Sequence, residues 1–164
     1  MKKNRKILSP KDISSKITRI AHEIIEHHND LSNLVLLGIH NRGVPIAGRL
    51  RKLIQDFTDI EIQLGSLDIT FHRDDFRDRL TMPEIKGTDI QFDLSDKVII
   101  LIDDVLYSGR TIRAALDEIN SFGRPSIIRL AVLVDRGHRE LPIRADFVGK
   151  NIPTHSGCLL YTSP

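Results

Sequence analysis

The 164-residue sequence predicts an α/β fold: a central, mainly parallel sheet flanked by helices. Three observations carry that prediction. Nearly continuous apolar runs at 34–39, 97–102 and 126–134 read as buried strands. Segments of helical period separate them, and strand, loop, helix, strand is the signature of right-handed βαβ units. The first two runs lead straight into Gly-containing turns that open the next helix.

The elements follow in order. Ser9 and Pro10 read as an N-cap and the first helical residue. Ile13, Ile17, Ile20, Ile24 and Ile25 recur at helical spacing, and Lys16, Thr18, Arg19, His22 and Glu23 occupy the other face. Strand 34–39 runs into the turn 38–43. A helix is predicted over 44–57, with Val44, Ala47, Leu50, Leu53 and Ile54 on one side. Residues 60–70 are β-like. Strand 97–102 is followed by a helix over 111–122, stopped by Gly123, Arg124 and Pro125, and then by strand 126–134. Residues 71–90 are heavily charged and weakly periodic, and a long segment of that kind in a compact domain reads as a functional lid or a disordered loop. In parallel sheets ligands bind at the carboxyl ends of the strands, which directs attention to the loops after Ile39 and Ile102.

Composition narrows the function classes. The chain is 40% hydrophobic and 28% charged, ordinary for a globular domain. A formal net charge of +2 excludes a globally basic nucleic-acid binder, so any such surface is a local patch. The single cysteine, Cys158, allows no internal disulfide and is compatible with a reducing cytoplasm. No apolar stretch follows the basic residues 1–6, and no apolar run is long enough to span a bilayer. The expectation is a soluble cytoplasmic protein with no membrane partner.

The run 98–111 (VIILIDDVLYSGRT) carries the chemistry. Five apolar residues form a strand, and Asp103 and Asp104 stand where it emerges. Tyr107, Ser108, Gly109 and Thr111 then lead into a helix. Unpaired N–H groups and the dipole at a helix N-terminus favour an anion. Gly109 permits close backbone approach, and Ser108 and Thr111 add hydroxyl donors. Two adjacent carboxylates can accept from vicinal ribose hydroxyls and stabilise positive charge developing at an anomeric carbon. An isolated Asp-Asp pair would read better as a solvated capping turn. Here strand, pair, small-residue loop and helix occur together.

That run resembles the phosphoribosyl pyrophosphate (PRPP) signature of type I phosphoribosyltransferases at essentially every position. The resemblance implies that family's fold: a mainly parallel sheet flanked by helices, with a small hood. It also implies roles. Asp103 and Asp104 hold the ribose, and Val105, Leu106, Tyr107, Ser108, Gly109, Arg110 and Thr111 cradle the 5′-phosphate. Mg²⁺ arrives with PRPP, bound mainly through its pyrophosphate and hydroxyls, with no direct protein ligand assigned. Residues 38–43 (GIHNRG) resemble the pyrophosphate loop, with Asn41, Arg42 and Gly43 at its end and a non-proline cis peptide expected within it. Arg42 offers a forked cation suited to phosphate oxygens. Residues 71–75 (FHRDD) look like the start of the family's flexible loop, which covers PRPP and excludes water. Arg73 is its candidate pyrophosphate contact. Asp103, Asp104 and Arg42 form the candidate catalytic set.

Residues 130–154, with TRIAH at 18–22 and FGRP at 122–125, are similar to the bacterial family of bifunctional pyrimidine operon attenuation regulators and uracil phosphoribosyltransferases. The resemblance runs from about Ile7 to Thr154. It implies two activities: uracil and PRPP give UMP and pyrophosphate, and the protein bound to UMP or UTP binds the leader mRNA of pyrimidine genes. By the same resemblance Thr18, Arg19, His22, His138, Arg139, Arg144 and Lys150 match RNA-binding positions, and Arg136 lies where the family approaches the nucleotide. The residues themselves fit a local phosphate-binding surface. Arg124, Arg129, Arg136, Arg139, Arg144 and Lys150 outnumber Asp135, Glu140 and Asp146, and Thr18, Arg19 and His22 lie close together on one helix. His27, His28 and His72 have no metal-site spacing and read as surface histidines.

The match stops after Thr154. Residues 1–154 are assigned to one phosphoribosyltransferase domain, and 155–164 read as an atypical tail left by truncation, which would uncover part of the base-binding hood and one strand edge. Two rival readings stay open: a non-catalytic, nucleotide-sensing RNA regulator, and a phosphoribosyltransferase for another base. A homodimer or higher homo-oligomer is expected from the resemblance.

Overall fold

In the computed structural model, which describes residues 8–70 and 87–153, Ser9 starts the first helix, α1 (Pro10–His27), with a capping box. The Ser9 hydroxyl accepts from the Asp12 N–H at 3.1 Å, and the Asp12 carboxylate accepts from the Ser9 N–H at 3.0 Å. Those bonds hold the Asp12 carboxyl below its usual range. The predicted isoleucine stripe is the buried face: Ile13, Ile17, Ile20 and Ile24 are buried with Ala21, while Ile25 is half-buried at its margin. Four readings lie outside the described residues: the basic stretch 1–6, the segment 71–75 with His72 and Arg73, Cys158, and the tail 155–164.

Strand β1 (Leu34–Ile39) is buried at every position. It runs into α2 (Gly43–Thr58), whose core face is Ile46, Ala47, Leu50 and Ile54, with Val44 and Leu53 half-buried beside it. The β-like stretch at 60–70 shortens to β2 (Gln63–Leu67). Next come β3 (Val98–Leu106), α3 (Arg110–Ile119) with a 3₁₀ turn at Asn120–Phe122, and β4 (Ile127–Asp135). A last strand, β5 (Phe147–Asn151), was not anticipated.

The five strands form one wholly parallel sheet in the order β2-β1-β3-β4-β5. The order reverses between β1 and β3: from β1 the chain moves outward to β2, then returns to place β3 on the other side. A crevice opens at the carboxyl ends of the strands at such a switch point. Alternate side chains face opposite layers. Leu34, Leu36, Ile100 and Ile102 pack with α1 and α2, while Val35, Leu37, Ile99 and Leu101 pack with α3. Each fully buried aliphatic side chain contributes about 1.5–3 kcal/mol. Among the described residues α1 also packs on β4 and β5, and no second sheet forms a separate hood.

Two expectations are corrected. Strand β3 does not end at Ile102: Asp103 pairs with Val132 and Val105 with Val134, so the ladder carries the acidic pair within it. His28 is not a surface histidine. It is half-buried, with Nδ1 at 2.6 Å from the Ile24 carbonyl and Nε2 at 3.1 Å from the Arg129 guanidinium. Burial pushes its imidazole below the usual value.

Candidate active site

The carboxyl edge of the sheet at the switch point brings together the loop after β1 and the end of β3. Gly43, the first residue of α2, lies against the Ile102 carbonyl so closely that a Cβ would overlap the backbone. Glycine therefore lets α2 begin against β3, and this seats Arg42 beside the acidic pair. Arg42 Nη1 is 3.9 Å from Asp104 Oδ2. The peptide bond His40–Asn41 is cis, as the resemblance implied, and the His40 N–H donates to the Leu67 carbonyl at 2.9 Å.

The two carboxylates differ. Asp103 is 7% exposed, and its Oδ1 accepts from the Asp104 N–H at 2.8 Å. Asp104 is more open, and its Oδ1 accepts from the Val105 N–H at 2.8 Å. After Leu106 the chain turns through Tyr107, Ser108 and Gly109 into α3. Gly109 holds φ at 95°, in the left-handed region that glycine enters without strain. The Ser108 hydroxyl accepts from the Arg110 N–H at 3.3 Å. The N-cap residue Gly109 has no side chain to cap α3 and no acidic residue lies in its first turn, so the helix offers an anion its positive end. Val105, Leu106 and Thr111 frame this turn on β3 and α3.

Residues 136–144 pack against the same turn. The Arg136 guanidinium lies 4.4 Å from the centre of the Tyr107 ring, and the His138 ring 5.2 Å from it. Arg139 turns inward: Nε donates to the Ile143 carbonyl at 2.8 Å, Nη1 to the Tyr107 carbonyl at 2.9 Å and Nη2 to Asp135 Oδ2 at 2.6 Å. Arg110 and Glu140 form an ion pair across the gap.

The other residues matched to RNA binding divide. Arg144 and Lys150 are exposed. Arg19 pairs with Glu23 and donates to the carbonyls of Val148 and Gly149, which brings α1 to the strand that carries Lys150. Thr18 Oγ1 bonds back to the Ser14 carbonyl at 2.9 Å. His22 stacks on Phe57, centroids 4.3 Å apart and planes 16° from parallel. Phe57 is 45% exposed and escaped sequence reading because it continues the core spacing of Leu50 and Ile54. Arg129, counted there as part of a basic surface, is turned toward His28.

Oxygen-rich sites with one or two carboxylates suit Mg²⁺ when a phosphorylated substrate completes the shell. Asp103 and Asp104 fit that use. Among the described residues no three or more His, Cys, Asp or Glu side chains are assembled to hold a metal by themselves. Nor is any helix among them long and apolar enough to cross a membrane.

Comparison with known proteins agrees with this geometry. The phosphoribosyl transferase domain model matches residues 4–158. A bifunctional protein PyrR of Clostridioides difficile is 53% identical over 154 residues, covering 94% of this chain and 87% of that protein. A protein of the same name from Deinococcus radiodurans is 55% identical over 148 residues, covering 90% and 81%. Among solved structures, a hypoxanthine phosphoribosyltransferase from Staphylococcus aureus superposes with a TM-score of 0.71 at 20% identity, over 92% of this chain and 79% of that one. At that identity the likeness concerns the fold.

Proposed function

The chain belongs to the phosphoribosyl transferase domain family, in the branch of the bifunctional PyrR proteins, and from that premise we propose that it transfers ribose 5-phosphate from PRPP to uracil and, with a uridine nucleotide bound, binds the leader mRNA of pyrimidine genes. One observation carries the reading of the site. Arg42, from the loop after β1, and Asp104, from the carboxyl-end part of β3, meet at the carboxyl edge of a parallel sheet, beside the N-terminus of α3.

On this reading Val105 to Thr111 bind the 5′-phosphate, with backbone N–H groups and the hydroxyls of Ser108 and Thr111 as donors. Asp103 and Asp104 accept from the ribose hydroxyls and favour the positive charge that develops at the anomeric carbon. Asn41, Arg42 and Gly43 address the pyrophosphate, with Arg73 as a further candidate. Arg136 approaches the nucleotide beside Tyr107. Uracil N1 bonds to the anomeric carbon as the bond to pyrophosphate breaks. Mg²⁺ brought with PRPP would supply charge neutralisation at the pyrophosphate, and Asp103 and Asp104 are the carboxylates that would help hold it. Thr18, Arg19, His22, Arg144 and Lys150 form the candidate RNA face, with His138 and Arg139 at its border with the nucleotide site. A cytoplasmic homodimer is the proposed form.

Pyrophosphate release from PRPP, with uracil and Mg²⁺, tests the enzyme. Removing a preorganised electrostatic group at a transition state costs about 10²–10³-fold in rate. The variant carrying Asp103→Asn and Asp104→Asn should lose at least that much while keeping its fold. Uracil-dependent release unchanged in the double variant refutes the assignment of the site. A folded wild type with no activity, but with nucleotide-dependent RNA binding, leaves a sensing regulator instead.

A further inference from the structure

Three consecutive carbonyls of the turn after β3 point at one segment. Leu106 O accepts from the Arg136 N–H at 2.9 Å, and Tyr107 O from Arg139 Nη1 at 2.9 Å. Ser108 O accepts from the Glu140 N–H at 2.9 Å and the Leu141 N–H at 3.2 Å. In a trans peptide the N–H points opposite to the C=O of the same unit. The N–H groups of Tyr107, Ser108 and Gly109 therefore face away from residues 136–141, the arrangement of an anion-binding nest. The space behind the turn is filled as well: a Cβ on Gly109 would meet the side chains of Ile143 and Leu141 at 3.4–3.5 Å.

Arg139 ties this wall together. Its guanidinium bridges the turn (Tyr107 O), its own loop (Ile143 O) and the end of β4 (the Asp135 carboxylate), and the pair is shielded, with 24% and 15% of the two side chains exposed. Three of its five donors point in three fixed directions within the chain, a use that a forked guanidinium serves and a single ammonium does not.

We propose that Arg139 is a positioning residue for the phosphate nest, and that residues 136–141 form a back wall through which occupation of the nest is felt by the basic segment 136–144. The inference rests on the reading of the turn after β3 as a phosphate site. An anion bonded to the N–H side polarises the same peptide units and strengthens their carbonyls as acceptors on the other side. Residues 136–144 then hold more tightly when nucleotide is bound. Nucleotide binding and the presentation of His138 and Arg144 become linked through shared peptide planes.

The test is hydrogen–deuterium exchange on the full wild-type chain with and without saturating UMP, together with the KM for PRPP and the same exchange in Arg139→Lys. Both 105–111 and 136–144 should gain protection together in the wild type. In Arg139→Lys the KM for PRPP should rise at least tenfold, and 136–144 should no longer respond to UMP. A charge-only contact with RNA phosphate would instead tolerate lysine and leave KM unchanged. Protection of 105–111 without any change in 136–144 overturns the proposal, as does an Arg139→Lys protein with wild-type KM and response. Protection of neither segment removes the phosphate-site reading and this inference with it. Should Arg139→Lys fail to fold, the wild-type exchange pattern decides alone.

Discussion

The centre of the sheet relies on apolar packing, whereas its outer end adds a polar network to that packing. Strands β1 and β3 sit between two layers of aliphatic side chains, and eight of their residues, Val35, Leu36, Leu37, Ile39 and Ile99 to Ile102, are among the most deeply buried. At the outer end, Leu130 to Val134 of β4 and Phe147 of β5 are buried in the same apolar layers, but the connecting residues 135–146 are fixed by directed polar contacts. Arg139 bridges three partners, and Asp146 secures the edge of β4, its carboxylate accepting from the Leu130 N–H at 2.8 Å while its own N–H donates to the Leu130 carbonyl at 2.8 Å. The lesson is that an excess of basic residues does not by itself define an interaction surface. In 124–150, Arg129 and Arg139 serve the fold, and Arg144 and Lys150 face solvent.

The contrast can be broken at several points. Ile100→Ala, at a fully buried position between the layers, should destabilise the protein by about 2–5 kcal/mol in urea unfolding, with loss of cooperativity across the sheet. Asp146→Ala should cost less, about 1–2 kcal/mol, and its effect should be local: faster amide exchange in β5 with β3 unchanged. Exchange rising equally in both strands would mean the outer end is not a separate layer of stability. Ser9→Ala, which removes the N-cap of α1, should cost about 1 kcal/mol. The smallest expected effect is acidic. His28 has a folded pKa below its unfolded value, so the unfolded chain takes the proton first as pH falls through about 6.5. Stability contributed by the neutral ring is complete above that pH and declines below it. Comparing unfolding at pH 8 and pH 5.5 in wild type and His28→Gln should show a shallower acid loss in the variant.

Legibility followed the same division. Strand β1 was readable to the residue because an unbroken apolar run has one physical use in a soluble sheet. The isoleucines of α1 declared their face, and the motif at 98–111 located the acidic pair and the turn. Arg42 beside Asp104 follows from that motif combined with the Gly43 turn. Elsewhere local pattern and tertiary use diverged. Asp103 and Asp104 ended β3 on paper, yet backbone pairing with β4 does not depend on side-chain polarity. Strand β5 has only Phe147 and Val148 as apolar signals, and its Gly149 reads as a breaker. In place, that glycine allows the strand to approach the Leu133 carbonyl where a Cβ would collide. The partners of Arg139 and His28 depend on which way a long or ambivalent side chain turns, and one-dimensional spacing does not encode that.

The parallel pairing of β1 with β3 also has a consequence in time. The Asn33 side chain, at the foot of β1, donates to the carbonyl of Asp96, 63 positions later, and Leu34 then registers with Val98. At synthesis rates of about 5–20 residues per second, the second edge of β1 waits roughly 3–13 s for its neighbour to leave the ribosome. During that interval α1, α2 and β2 can already gather around β1, but a fully apolar strand keeps one row of backbone donors and acceptors unsealed. The nascent chain is most exposed to mispairing with another copy of itself in that window, and how quickly β3 arrives sets how long the risk lasts.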